Sequence, residues 1–178
     1  MRFIPLIVLV ATLVVNPFVS ARQVENWSYE RLFKEADLVV IATVKETVET
    51  KDAAPDGRWK SVLVGQASSF TIDTVMKGSV PAGSLTVVHF KLKPGALPQD
   101  GPMLVSFRSK GPTIEGGGAV KYQVELSDPQ YLLFLKKDGK GRFAPVSGQI
   151  DSLFSVREIY APLPEVMDRE RASTRDGR

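Results

Sequence analysis

One histidine and no cysteine limit the chemistry this chain can perform. A serine-hydrolase triad would need His89 as its base and a serine on a sharp elbow beside it. Gly65-Gln66-Ala67-Ser68-Ser69 lacks that spacing and falls inside a strand pattern. His89 alternates with Val88 and Phe90 and shares its side with Lys91 and Lys93, so it reads as a solvent-facing residue. Without thiols and with one imidazole, a zinc site is poorly served. Asp52, Asp56, Asp100 and Asp128 lie in turn-rich segments without EF-hand spacing, and turn chemistry accounts for each. Gly116-Gly117-Gly118 has no following Lys-Ser/Thr and opens no helix, so it reads as a flexible loop rather than a phosphate cradle. Glu125, Asp151 and Glu158 are carboxylates of the type that glycoside hydrolysis requires, but no local pattern joins them. The expectation is a protein that is not an enzyme, with no catalytic residues, no metal and no cofactor.

Binding is the better-supplied alternative. Between Pro145 and Val156, Gln149, Asp151, Ser152 and Ser155 follow a glycine turn at Gly148 and form the first candidate binding loop. The same side chains are also suited to capping backbone groups. The segment from Pro94 to Gly118 is the second candidate. Basic residues cluster at Arg108-Ser109-Lys110 and from Lys136 to Arg142. Tyr122, Tyr131 and Phe143 could stack on a ligand, although their apolar neighbours point to burial.

These residues need elements to hold them. Ser28 is placed to cap a helix over 28–36, with Trp27 set to pack on Leu32. Tyr29, Leu32, Phe33 and Ala36 form its apolar stripe. Leu38, Val40, Ala42, Val44 and Val48 mark one face of a strand, and a turn-rich connection follows. A long strand or bent strand pair runs from Trp59 to Lys77, with Phe70, Ile72 and Met76 on one side and a bend or bulge at Gly65. Val88, Phe90 and Leu92 mark the buried side of the next strand, over Leu85 to Lys93. Short strands follow at Met103 to Phe107 and Val120 to Leu126. Tyr131 to Leu135 is apolar on both faces, a strand covered on each side, with the helix as one cover. Asp138-Gly139-Lys140-Gly141 turns the chain into a strand from Arg142 to Val146, and Phe154 to Ile159 forms the last.

Many strands, one short helix and glycine bends make this mainly β: a small OB-like barrel with the helix packed on it, a β-sandwich being the main competitor. OB barrels bind oligonucleotides or oligosaccharides through one face. The formal charge of +3 is ordinary for a mixed surface and does not mark a nucleic-acid binder.

The chain's beginning adds a compartment. Met1-Arg2, an apolar run from Phe3 to Val15 and the small residues Val19-Ser20-Ala21 read as a signal peptide, 1–21, cut before Arg22. The run is short for a bilayer span, which needs about 20 apolar residues; a retained anchor is the alternative. A single domain over 22–163 and a polar tail over 164–178 complete the layout. The expected location is secreted or periplasmic, with no stable membrane insertion after cleavage. Asn26-Trp27-Ser28 matches a glycosylation acceptor, which has no role in a bacterial setting.

Three stretches, Ala36 to Val44, Phe70 to Gly78 with its terminal Lys77-Gly78, and Tyr131 to Leu135 with Asp138-Gly139, resemble the netrin-like domain of tissue inhibitors of metalloproteinases. The resemblance implies an OB-type barrel. It does not carry over inhibition, since that family chelates the protease zinc through an amino-terminal cysteine and this chain has none. The functional expectation is an exported, non-catalytic binding domain for an unknown protein or glycan outside the cytoplasm, without nucleic acid. The alternatives are a protease inhibitor acting through a loop and a carboxylate-based hydrolase.

Overall fold

A computed structural model describes residues 24–55, 57–80, 85–98, 101–110 and 128–159 in full, and 113–117 and 121–125 as backbone. The segments 1–21 and 164–178, with Asp56, Asp100 and Gly118, lie outside the described residues.

Ser28 caps helix α1 (Tyr29–Glu35), its hydroxyl oxygen accepting from the Arg31 amide at 3.2 Å. Leu32 and Ala36 are buried against Val39, Phe134 and Val146, and Trp27 packs on this cluster. Tyr29 and Phe33, expected on the same buried stripe, are instead 57% and 43% exposed. Two turns are enough to seat only Leu32 and Ala36 on the sheet. Tyr29 stays at the rim, 6.0 Å from the Phe134 ring, and its hydroxyl accepts from Arg157 at 2.9 Å.

Strand β1 (Leu38–Thr50) pairs antiparallel with β2 (Leu63–Lys77) and, along its first half, with β6 (Gln130–Lys137). Leu38, Val40, Ala42 and Val44 turn into the main core. Val48 does not join them and is 47% exposed. A register shift between Val44 and Glu46 breaks the alternation, and one extra residue sends the remainder of the strand to the other face. Met76, near the far end of β2, is likewise exposed, because β2 outlasts the core beyond Ile72.

Two glycines are dictated by close approach. At Gly65 a Cβ would stand 2.6 Å from Thr50 Oγ1 and 2.9 Å from the Asp52 carbonyl oxygen. At Gly78, where φ is +83°, it would stand 2.2 Å from the Asp37 carbonyl oxygen.

Strand β3 (Leu85–Leu92) pairs antiparallel with β2, and at Val87 it meets Phe143 of β7 (Phe143–Pro145) in parallel. β7 returns antiparallel to β6 through the Asp138–Arg142 turn, and β6 returns to β1. The order β1-β2-β3-β7-β6-β1 closes a five-stranded barrel with an OB-like path. β8 (Val156–Ile159) extends the sheet beside the start of β6. A separate hairpin, β4 (Thr113–Gly117) with β5 (Lys121–Glu125), places Gly116 and Gly117 in a ladder, not in the flexible loop expected.

The connections differ from expectation where they cover the barrel. Gly57–Trp59 is a short 3-10 turn, not the start of a strand. It buries Trp59 with Ala54, Leu63 and Phe90 on the outer face of β3. Residues 103–107 form no strand. Val105 and Phe107 instead pack on the core, and side chains hold the backbone: the Val105 amide donates to Ser152 Oγ at 2.8 Å and the Arg108 amide to the Tyr131 hydroxyl, also at 2.8 Å. Phe107 meets Phe70 and Tyr131 edge to face at 4.9 and 5.1 Å. The chain between Ser152 and Ser155 is another 3-10 turn, which shortens the last strand expected there.

Candidate functional site

The single histidine is not at the surface. His89 is 1% exposed because β3 is covered on both faces, by the Trp59 cluster on one side and by Phe107, edge to face at 4.9 Å, on the other. Its Nε2 lies 2.8 Å from Ser68 Oγ, which lies 2.7 Å from Thr47 Oγ1, Thr47 and Ser68 being cross-strand neighbours. Nδ1 is buried and has no hydrogen-bond partner within reach among the described residues. Burial pushes the imidazole down to about 4, and the Phe90 backbone opposes this only in part. The ring is therefore neutral at neutral pH.

A neutral ring carries one proton, and the Ser68 hydroxyl, lying between His89 Nε2 and Thr47 Oγ1, can donate to one of them and accept from the other. No carboxylate orients Nδ1, and Ser68 itself is fully buried. The trio is a core hydrogen-bond chain.

The carboxylates are dispersed. Glu158 accepts from Arg108 at 3.0 and 3.1 Å and from the Tyr131 hydroxyl at 3.2 Å. Asp128 pairs with Lys110 at 3.1 Å, and the Glu125 side chain lies outside the described residues. Among the described residues no three acidic or imidazole groups gather as a metal cluster. Tyr131 and Phe143 are buried at 1% and 2%, so neither offers a stacking face, and the Tyr122 side chain lies outside the described residues.

The polar residues converge elsewhere. A cleft of about 660 Å³ opens between the β1–β2 connection, at Asp52, Ala53 and Pro55, and the β6–β7 hairpin, at Asp138, Lys140 and Arg142. Its floor is the segment from Ser147 to Asp151. Arg142 ties the two walls together. Its guanidinium donates to Asp52 Oδ2 at 2.8 Å and Oδ1 at 3.2 Å, while its Nε donates to Asp138 Oδ2 at 2.8 Å. The hairpin is set for this: Asp138 Oδ1 accepts the Lys140 and Arg142 amides at 2.9 and 3.1 Å, an Asx-type turn. The Arg142 guanidinium, helped by the Thr50 hydroxyl, holds Asp52 below the usual carboxylate range. Burial pulls Asp138 upward, but the Lys140 amide and Arg142 outweigh it, so Asp138 also sits low.

Replacing Arg142 by methionine should remove this link and lower stability by about 1–2 kcal/mol, since both acids would lose a charged donor while solvent screens part of the effect. Urea midpoints measure that loss, and hydrogen exchange of residues 51–55 should quicken.

The four candidate loop residues divide. Gln149 and Asp151 line the cleft. Ser152 and Ser155 are fully buried and occupied with structure. Ser152 Oγ accepts the Val105 amide at 2.8 Å; Ser155 Oγ accepts the Ser147 amide at 2.7 Å and bonds the Ser147 hydroxyl at 2.8 Å. Ser152→Ala should therefore cost about 1–3 kcal/mol by orphaning a buried N–H, whereas Gln149→Ala should leave the urea midpoint almost unchanged. Asp138 and Arg142, which frame the cleft, belong to the basic cluster from Lys136 to Arg142 weighed for binding, whereas Asp52 reads only as a turn aspartate. The signal available for the first two was only an aspartate-opened hairpin beside a basic cluster.

A second concavity, about 620 Å³ and mostly apolar, lies beside α1 between Tyr29, Phe33, Met76 and Phe134. Comparison with protein-family models, curated proteins and solved structures finds no match.

Proposed function

We propose that this chain is a non-catalytic binding domain of OB type, working outside the cytoplasm, whose ligand seats in the cleft between the β1–β2 connection and the β6–β7 hairpin. One observation carries the reading. In the barrel's own order these are the loops joining strands one to two and four to five, the pair between which OB barrels commonly hold oligomeric ligands. Here both loops line one cleft of ligand-binding size, with Gln149 and Asp151 on its floor. The buried Ser68–His89 pair, closed to solvent, favours binding over turnover. The strand order and the three matching stretches support kinship with netrin-like domains at the level of the barrel. The export reading rests on the 1–21 signal pattern.

A panel of glycans, peptides and small ligands, read by thermal shift, tests the proposal. Hits should lose their shift when Gln149→Trp fills the cleft. Hits indifferent to that substitution, or a substrate turned over, would contradict it. Amino-terminal sequencing of exported protein should begin at Arg22.

A further inference from the structure

Resting on the cleft being the ligand site, we propose that its ligand is a carboxylated oligosaccharide, a uronate-type chain, held by Lys136, Lys137 and Lys140. Asp52 and Asp138 are both committed to Arg142, and together they saturate its fork. Arg142 is thus a structural cation, closed to the planar, bidentate recognition that arginine usually supplies. Lys136, Lys137 and Lys140 remain as exposed residues lining the cleft, Lys136 and Lys137 being successive positions of β6 whose side chains leave opposite faces of the strand, with Lys140 3.8 Å from Asp52. Mobile point charges suit repeated, flexibly spaced anions.

Three features narrow the anion's carrier. Among the described residues the cleft lining contains no aromatic side chain, so these residues offer no platform for stacking nucleobases. Among the described residues the strands beside it are paired: β7 by β6 and, at Phe143, by β3, and β6 by β1 on one side and by β7 and β8 on the other. A peptide could not add as a strand there and would have to be read through side chains alone. The floor supplies groups that suit sugar hydroxyls: the Gln149 amide and the Asp151 carboxylate stand beside the small apolar surfaces of Ala53, Pro55 and Pro145. Lysines for carboxylates and neutral or acidic acceptors for hydroxyls together describe an acidic sugar chain.

Titration calorimetry of the full-length protein with an oligogalacturonide tests this, using the neutral oligogalactoside of equal length and a polyglutamate peptide as comparators. Binding should be selective for the uronate and weaken with added salt. The triple variant Lys136→Gln, Lys137→Gln, Lys140→Gln alters only exposed side chains; it should melt as the parent does and bind about tenfold or more weakly. Uronate binding that survives in the triple variant, preference for polyglutamate, or no uronate binding would each overturn the assignment. Amide-shift mapping separates the two levels. If the neutral sugar or the peptide perturbs Gly148 to Asp151 while the uronate does not, the cleft stands and the ligand class falls. If the uronate binds but perturbs residues elsewhere, the cleft itself falls.

Discussion

Gly78→Ala should destabilise the barrel by about 3 kcal/mol or more, a loss comparable to a large part of the total stability of an ordinary domain. Two costs combine. The residue has φ of +83°, a region that alanine enters only at a penalty of roughly 1–2 kcal/mol. Its methyl would also stand 2.2 Å from the Asp37 carbonyl oxygen, which is backbone and cannot rotate away. Asp37 is itself pinned, its amide donating to the Leu135 carbonyl at 2.8 Å and its Oδ2 accepting the Lys137 amide at 2.9 Å. Relief of the clash would therefore pull on the β1–β6 seam that closes the barrel. Gly95→Ala is the control: φ is +76° there, but a Cβ would meet nothing within 4 Å, so only the conformational penalty of about 1 kcal/mol applies. Thermal melts should separate the pair, with Gly78→Ala lower by about 10 °C. Equal losses at the two sites would show that the Asp37 contact does not exist in solution.

The second large effect is acid lability set by His89. In the unfolded chain an imidazole takes its proton near 6.5, whereas the buried ring takes it only near 4. Between those values the unfolded state binds a proton that the folded state refuses, so stability falls as pH falls. The contribution is fully present above about 6.5 and is lost by about 4, amounting to roughly 3 kcal/mol over the window. His89→Leu should flatten that part of the profile, leaving Ser68 bonded to Thr47. A separate decline should persist below the ordinary aspartate value of about 3.8, where the unfolded chain takes protons that Asp52 and Asp138, held low beside Arg142, refuse in the folded state. Denaturant midpoints measured across both windows distinguish the two. A parent profile that is level between pH 6.5 and 4 would place His89 in contact with solvent after all.

Much of the barrel was legible in the sequence because period-two burial is a local signal. Tyr131 to Leu135, apolar on both faces, lies between the core and α1 as its composition demands, and the Asp138-Gly139 turn leads directly into β7. What misled was cover arriving from elsewhere in the chain. His89 alternates with residues that looked buried and stands next to Lys91, so local pattern assigns it to water. Its true neighbour, Phe107, comes from a segment without a ladder that has no period of its own. Val48 failed for another reason: one extra residue near Lys45 inverts the faces, and nothing in Val44-Lys45-Glu46 announces it. At the cleft, Gln149 and Asp151 were legible as loop residues. Asp52 reads in the sequence as a turn aspartate alone, because its meaning depends on Arg142, 90 positions away, and only barrel closure brings the two together.

That closure is the claim on which the cleft depends. The hairpin stands beside the β1–β2 connection only because β7 is held against β3, through the parallel junction of Val87 with Phe143. Nuclear Overhauser contacts across this junction test it most directly. Backbone contacts are expected between Val87 and Phe143, accompanied by contacts from the Arg142 side chain to Asp52. Contacts of β7 with β6 alone, with Val87 facing another strand or solvent, would describe an open sheet or a two-layered sandwich. The cleft, its lysines and the ligand proposed for it would then have no structural basis.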